Sequence, residues 1–331
     1  MSAKVGILGG GAWGTALAVC AARAGSDTLL WARDGAVVES INDSHANPRY
    51  LPDITLPDSL RATRSAAEAL EADAVLLAVP AQQLSGFLEG VKADWKPGAA
   101  AVICAKGIER ATGRLMSAVV RDALGDAAPV AILSGPTFAA EVAAGLPAAV
   151  TLACADRALG ERLVAMIGSA TFRPYLTDDV TGAEIGGAVK NVLAIACGIV
   201  EGRRLGDNAR AALVTRGLAE ITRLCVALGG RRETMMGLSG LGDVTLTCNA
   251  AQSRNFSFGV ALGQGRSAAD LLAGGVTVEG VYSAEAVTRM ARDAGIDAPV
   301  SVAVDAILNN FADISATVRG LMERPFRDER S

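Results

Sequence analysis

A chain of 331 residues with 20% charged and 51% hydrophobic residues is long enough for about two cores and too apolar for wholesale disorder. Its net charge of −4 argues against a nucleic-acid-binding protein, which would carry a basic surface. No run of about 18 uncharged apolar residues is visible and no basic leader precedes a separate apolar segment, so neither a transmembrane span nor a signal peptide is expected, and the expected compartment is the cytoplasm.

The first elements carry the clearest signal. An apolar run over 5–8 leads into Gly9-Gly10-Gly11-Ala12-Trp13-Gly14, a helical stretch over 15–24, Gly25 and a second apolar run over 28–31. Gly9, Gly11 and Gly14 match G-x-G-x-x-G, placed after a strand and opening a helix. In that setting Gly9 serves a tight turn, Gly11 lets the backbone approach a pyrophosphate, and Gly14 lets the helix pack on the strand. The helix N-terminus then offers its unpaired N–H groups to the phosphates. An NAD-selective site usually ends its second strand on an acid that holds the ribose hydroxyl, but this chain reads Leu30-Trp31-Ala32-Arg33-Asp34. Arg33 is available to a 2′-phosphate, which favours NADP(H), and the adjacent Asp34 keeps NAD(H) open.

Residues 35–65 read as polar and turn-rich, and the lone His45 there receives no role. Strand-like runs follow at 74–80, 99–105, 130–133, 148–153 and 171–175. Ligands of open parallel sheets bind beyond the carboxyl ends of the strands, which places Lys106, Gly135 and Thr137 in one crevice. After about residue 180 only helical periodicity remains, so the expected division is a Rossmann-type NAD(P)-binding domain over 1–180 and an all-helical substrate domain over 181–331. At the join, Ile185, Val189, Val192, Ala196 and Ile199 recur at helical spacing around Lys190. The helical neighbours of Lys190 are Ala183, Gly186, Gly187, Ala194 and Cys197, all small. That bare face suits either close helix packing, with the lysine in solvent, or a ligand that meets the amine.

Helices are expected at 207–228, 282–294, 299–311 and 315–323. Residues 238–248 do not read as helix; there glycine-flanked Asp243 is free to enter a cleft, and Ser253-Arg254-Asn255 follows as a cluster of donors suited to an anion. A nicotinamide cofactor moves a hydride, so the protein must handle a proton. With one histidine, a lysine of lowered pKa is the natural candidate, and Lys190 beside Lys106, with Asp243 holding the ammonium, fits that need. The substrate expected from these residues is a small anionic keto or hydroxy compound, with carboxylate and phosphate both open. Cys20, Cys104, Cys154, Cys197, Cys225 and Cys248 are scattered without a C-x-x-C pair and read as structural thiols, and no metal site is expected.

The motifs Gly9–Gly14 with Trp13, Lys106-Gly107, the stretch from Ser134 to Glu141, Val189-Lys190-Asn191, Leu241-Gly242-Asp243 and Ser253-Arg254-Asn255 occur in an order and spacing that closely resemble the bacterial NAD(P)-dependent glycerol-3-phosphate dehydrogenases, from residue 4 to about 325. The resemblance implies reversible reduction of dihydroxyacetone phosphate to glycerol 3-phosphate, supplying phospholipid synthesis. It implies that Lys190 is the proton donor and acceptor, and that Lys106, Gly135, Thr137, Asp243, Ser253, Arg254 and Asn255 contact the substrate with Thr247 in support. It further implies cofactor contacts at Trp13, Arg33, Lys106, Ala139, Arg254, Thr277 and Glu279. A homodimer is expected. The chain departs from the family at Ala12, often a serine, and at Thr277-Val278, often a pair of valines. The competing readings are a 3-hydroxyacid or ketoacid reductase of similar architecture and a non-catalytic NAD(P)-binding sensor.

Overall fold

In the computed structural model, which describes residues 2–125, 128–274 and 277–325, strand and helix alternate at first and helix alone follows. The first part runs β1 (Lys4–Leu8), α1 (Ala12–Arg23), β2 (Asp27–Trp31), α2 (Gly35–Ser44), β3 (Ala46–Asn47), β4 (Leu51–Thr55), β5 (Arg61–Thr63), α3 (Ala66–Leu70), β6 (Ala74–Leu77) and α4 (Ala81–Val91). It continues through β7 (Ala100–Ile103), α5 (Met116–Leu124), β8 (Val130–Ser134), α6 (Ala139–Ala144), β9 (Ala148–Cys154), α7 (Arg157–Ile167) and β10 (Phe172–Thr177). One sheet holds eight of these strands in the order β10-β9-β8-β7-β6-β1-β2-β5. From β5 to β8 every pairing is parallel; β9 runs against β8, and β10 follows β9. The chain leaves β1 toward β2 and β5, then returns to β6 on the other side of β1. The crevice beyond β1 and β6 is therefore the topological switch point of a Rossmann-type sheet, where such folds bind dinucleotides.

Burial on both faces explains the composition of the central strands. β6 (AVLL) and β7 (AAVI) are buried at every residue, as parallel strands covered by helices on both sides must be. One apolar layer lies with α1 and α7 and contains Ile7, Leu17, Val19 and Leu30; the opposite layer lies with α4 and α5 and contains Leu8, Leu77, Leu84 and Val120. Residues 35–65, expected as turns, instead form α2 and three short strands, of which β5 is the parallel edge of the sheet. Strands of two to five residues are too short for periodicity to declare.

The second part consists of α8 (Val180–Gly202), α9 (Asp207–Ala227), α10 (Arg232–Met235), a π-helical turn at Leu238–Gly242, α11 (Asp243–Thr247), α12 (Arg254–Gly263), α13 (Ala268–Ala273), α14 (Glu279–Asp293), α15 (Pro299–Asn309) and α16 (Ile314–Met322). The irregular stretch expected over 238–248 is thus largely helical: one wide turn passes directly into α11.

α8 is the axis of this part, buried at every residue from Gly182 to Val200. Among the described residues it is the one helix long and apolar enough to cross a membrane, with mean hydropathy 1.5, yet 94% of that apolar window is covered by the rest of the protein. A helix apolar all round is what the centre of a large core requires. Glu184 and Lys190 interrupt the apolar run, which is why it does not stand out in the sequence. α8 meets α12 through glycines on both: a Cβ on Gly198 would lie 2.1 Å from the Phe256 carbonyl oxygen, and one on Gly259 would lie 2.2 Å from that of Ile195.

Two buried carboxylates tie α8 to its surroundings. Asp179 accepts from the backbone N–H of Gly182 (2.9 Å) and Arg231 (2.9 Å) and from the Thr234 hydroxyl (2.5 Å). Glu184 reaches across to the start of α5, accepting from Ser117 N–H (2.8 Å) and Oγ (2.6 Å), and burial raises its pKa above the usual carboxylate value.

Candidate active site

Three segments converge on one carboxylate. α8 supplies Lys190, the loop after β7 supplies Lys106, and the π-helical turn delivers Asp243 at the start of α11. Asp243 is fully buried and accepts Lys190 Nζ on Oδ1 at 2.5 Å and Lys106 Nζ on Oδ2 at 2.7 Å. Lys190 also donates to Thr247 Oγ1 (2.8 Å), which in turn donates to Asp243 Oδ1 (3.2 Å). Lys106 donates to the Gly135 carbonyl at 2.7 Å. An ammonium has three donors, so each lysine keeps one unspent.

The bare face of α8 is explained by these approaches. A Cβ on Gly186 would lie 2.4 Å from the Ser239 carbonyl in the π-helical turn. A Cβ on Gly187 would lie 2.5 Å from Ser134 Oγ and 3.5 Å from Lys106 Cγ. Gly186 and Gly187 are therefore not clearance for a ligand. They let the Asp243 turn and the Lys106 loop close on the helix. Close packing and the ionic site are one feature, and Lys190 does not reach solvent: its side chain is 8% exposed. Burial lowers its pKa, Asp243 opposes this, and Lys106 adds to the lowering; the outcome is about 8, from an ordinary 10.5.

A chain of amides fixes the approach of Lys106. Asn191 Nδ2 donates to the Lys106 carbonyl (3.1 Å), Asn255 Nδ2 donates to Asn191 Oδ1 (2.9 Å), and Gly280 N–H donates to Asn255 Oδ1 (2.9 Å). Asn255 thus ties α12 and the first turn of α14 to Asn191 at the heart of the site. Sequence reasoning misses Asn191 as a site residue, although an amide next to a lysine in an apolar helix is a readable signal. Ser253 is buried and caps α12, its Oγ accepting from Phe256 N–H at 3.2 Å. Arg254 is exposed in the first turn of α12, and its side chain forms no ion pair or hydrogen bond among the described residues. Thr137 bonds locally to the Gly135 carbonyl (3.3 Å).

The glycine-rich turn fits a dinucleotide. Gly9 has φ +128°, and a Cβ there would meet the Ala78 carbonyl at 2.8 Å; a Cβ on Gly14 would lie 1.8 Å from the Gly9 carbonyl. At Gly11 a Cβ would meet nothing within 4 Å, so this residue faces open space in front of the turn. Gly11 also precedes α1 without a side-chain cap, leaving the first N–H groups for an anion. Among the described residues, the buried polar atoms without a partner include Trp13 Nε1, Asn47 Oδ1, Ser134 Oγ and Glu279 Oε2. Glu279 Oε1 accepts from Ala81 N–H at 3.2 Å, joining α14 to the residue that opens α4 after β6. Burial raises the Glu279 carboxyl, with the Ala81 N–H and nearby Arg254 acting against it. Ala139 opens α6, and Thr277 lies two residues before Glu279. Arg33 is exposed beyond β2.

A dinucleotide cradle at the switch point, with two lysines on one buried carboxylate between the sheet and the helices, defines a nicotinamide-dependent dehydrogenase of two-part architecture. Residues 4–160 match the family model of the NAD-dependent glycerol-3-phosphate dehydrogenase N-terminus, and residues 179–319 match that of its C-terminus. The chain belongs to the NAD-dependent glycerol-3-phosphate dehydrogenase family. It is 53% identical over 327 residues to the glycerol-3-phosphate dehydrogenase [NAD(P)+] of Parvibaculum lavamentivorans, covering 98% of each chain. It is 54% identical to the enzyme of that name from Rhodospirillum rubrum, covering 98% of this chain and 93% of the other. A crystal structure of glycerol-3-phosphate dehydrogenase from Coxiella burnetii superposes with TM-score 0.92 at 39% identity, over 98% of this chain and 99% of that one.

Proposed function

We propose that this chain reversibly reduces dihydroxyacetone phosphate to glycerol 3-phosphate with NAD(P)H, in the cytoplasm and in supply of phospholipid synthesis. The observation that carries the reading is the buried Lys190–Asp243–Lys106 arrangement in a chain of this family. The bound nicotinamide supplies or takes the hydride. Gly9, Gly11, Trp13, Gly14, Arg33, Ala139, Thr277 and Glu279 hold the cofactor, with Lys106 and Arg254 reaching both cofactor and substrate. Lys190 gives a proton to the substrate oxygen in reduction and recovers it in oxidation, and its pKa of about 8 suits both directions near neutral pH. Asp243 and Thr247 hold the amine in place and leave its third donor for the substrate. Lys106 brings a second positive charge to the same oxygen as charge develops there. Gly135, Thr137, Ser253, Arg254 and Asn255 complete the substrate side, where the arginine fork suits a phosphate. The sheet-bearing residues 1–180 carry the cofactor and residues 181–331 the substrate, and two chains pair as a homodimer.

The test is NADPH oxidation followed with dihydroxyacetone phosphate and, separately, with ketoacids. Turnover is expected with the phosphate alone. Turnover of ketoacids without the phosphate would favour the hydroxyacid-type rival, and no turnover of either would favour a sensor. Light scattering on the full chain, 33.7 kDa per subunit, checks the dimer.

A further inference from the structure

Arg64 stands outside every role given so far. It lies just past the carboxyl end of β5, next to the carboxyl end of β2, because Trp31 is paired with Thr63 and Ala32 N–H donates to the Thr63 carbonyl at 3.1 Å. Its backbone is fixed: Trp31 Nε1 donates to the Arg64 carbonyl at 3.0 Å, and Trp31 is held against Phe87 with ring centroids 4.8 Å apart. Its side chain runs over Gly35, where a Cβ would lie 3.5 Å from Arg64 Cδ and 3.7 Å from Nε and Nη1. The guanidinium therefore rests beside the β2–α2 corner, two residues along the chain from Arg33.

The acids of that corner are already engaged. Asp34 Oδ1 caps α2 by accepting from Ala36 N–H at 3.0 Å, and its Oδ2 pairs with Arg49. Glu68 Oε2 accepts from the Thr63 hydroxyl at 2.8 Å. Each oxygen of Asp34, the acid nearest the position that holds the ribose in an NAD-selective site, thus already has a partner within the protein. Arg33 and Arg64 are both exposed, and neither forms an ion pair or side-chain hydrogen bond among the described residues. Two free forks flank the place where, in this fold, the adenosine ribose meets the end of the second strand.

We propose that Arg64, together with Arg33, is a specificity-determining residue that grips the adenosine 2′-phosphate of NADP(H). The proposal rests on the dinucleotide reading above and deepens it by making phosphate selection a property of the β5 edge as well as of β2.

The test is calorimetric binding of 2′,5′-ADP and of 5′-ADP to the full-length protein, as wild type and as Arg64→Ala, with KM for NADPH and NADH measured on the same samples. Wild type is expected to bind 2′,5′-ADP more tightly than 5′-ADP. Arg64→Ala is expected to weaken 2′,5′-ADP by about tenfold, the scale of one lost charge-assisted pair, and to leave 5′-ADP, kcat and the NADH KM nearly unchanged. The NADPH KM should rise by the same factor, and Arg64→Lys should recover only part of it. Equal loss of both ligands would overturn the proposal by making Arg64 a scaffold of the corner, and no loss of either would overturn it outright. Wild type binding both nucleotides equally would overturn phosphate selection while leaving the dinucleotide site intact. Failure to bind either would strike the dinucleotide reading itself.

Discussion

In the proposed mechanism Lys190 carries the proton, and its pKa of about 8 has a direction in each half-reaction. Oxidation of glycerol 3-phosphate needs the free amine, so its kcat/KM should rise with pH and level off above about 8. Reduction needs the ammonium and should fall over the same range. Asp243 is the group that raises this pKa against burial and Lys106. Asp243→Asn should therefore move the limb of the residual activity below 8, besides lowering the rate. A limb that stays, or moves upward, would contradict the assignment of Lys190. The lysine and the aspartate were both legible in the sequence, one as a cation in an apolar helix and the other as an acid among glycines. That the two glycines beside the lysine serve contact with the Ser239 carbonyl and Ser134 was not, because small residues look the same whether they face backbone or ligand.

At the scale of elements, helix starts and helix contacts set the stability. Glu220 of α9 caps α15, accepting from Val300 N–H (2.8 Å) and Ser301 N–H (3.3 Å), and burial pushes its pKa up to about 7 from 4.5. An acid whose folded pKa is raised stabilises the fold fully below its unfolded pKa, and this is lost as pH rises through the folded value. Urea midpoints should therefore decline from pH 4.5 to above pH 7, with Glu220 contributing on the order of 3 kcal/mol, and Glu220→Gln should flatten that part of the profile. The glycines divide by what surrounds them. At Gly86, inside α4, an added Cβ would meet nothing within 4 Å, so Gly86→Ala should stabilise by roughly 0.5–1 kcal/mol. Gly198→Ala would press on the Phe256 carbonyl and should cost about 1–3 kcal/mol, measured by the same denaturation. Long elements such as α8 and α9 were readable from period alone. The short α2, β3, β4, β5 and α11 were not, because they are fixed by neighbours such as the β2 edge and the Asp34 cap rather than by their own pattern.

At the scale of the whole molecule, the site exists only where the sheet and the helical part meet. Lys106 and Gly135 arrive from loops after β7 and β8, Lys190 and Asp243 from α8 and α11, and the Asn191–Asn255–Gly280 chain locks the two sides together. The Rossmann order was foreseeable because Gly9, Gly11 and Gly14 sit between a strand and a helix, whereas the reversal of β9 leaves no mark in an apolar run. The measurement that bears most directly on this account is NADPH oxidation by Lys190→Ala with dihydroxyacetone phosphate, paired with NADPH binding followed by fluorescence on the same protein. The expected result is cofactor binding within about twofold of wild type and a kcat lower by roughly 10²–10⁴, the usual share of a general acid. Turnover within about tenfold of wild type would contradict it, since one lost proton donor at a carbonyl should cost more than that.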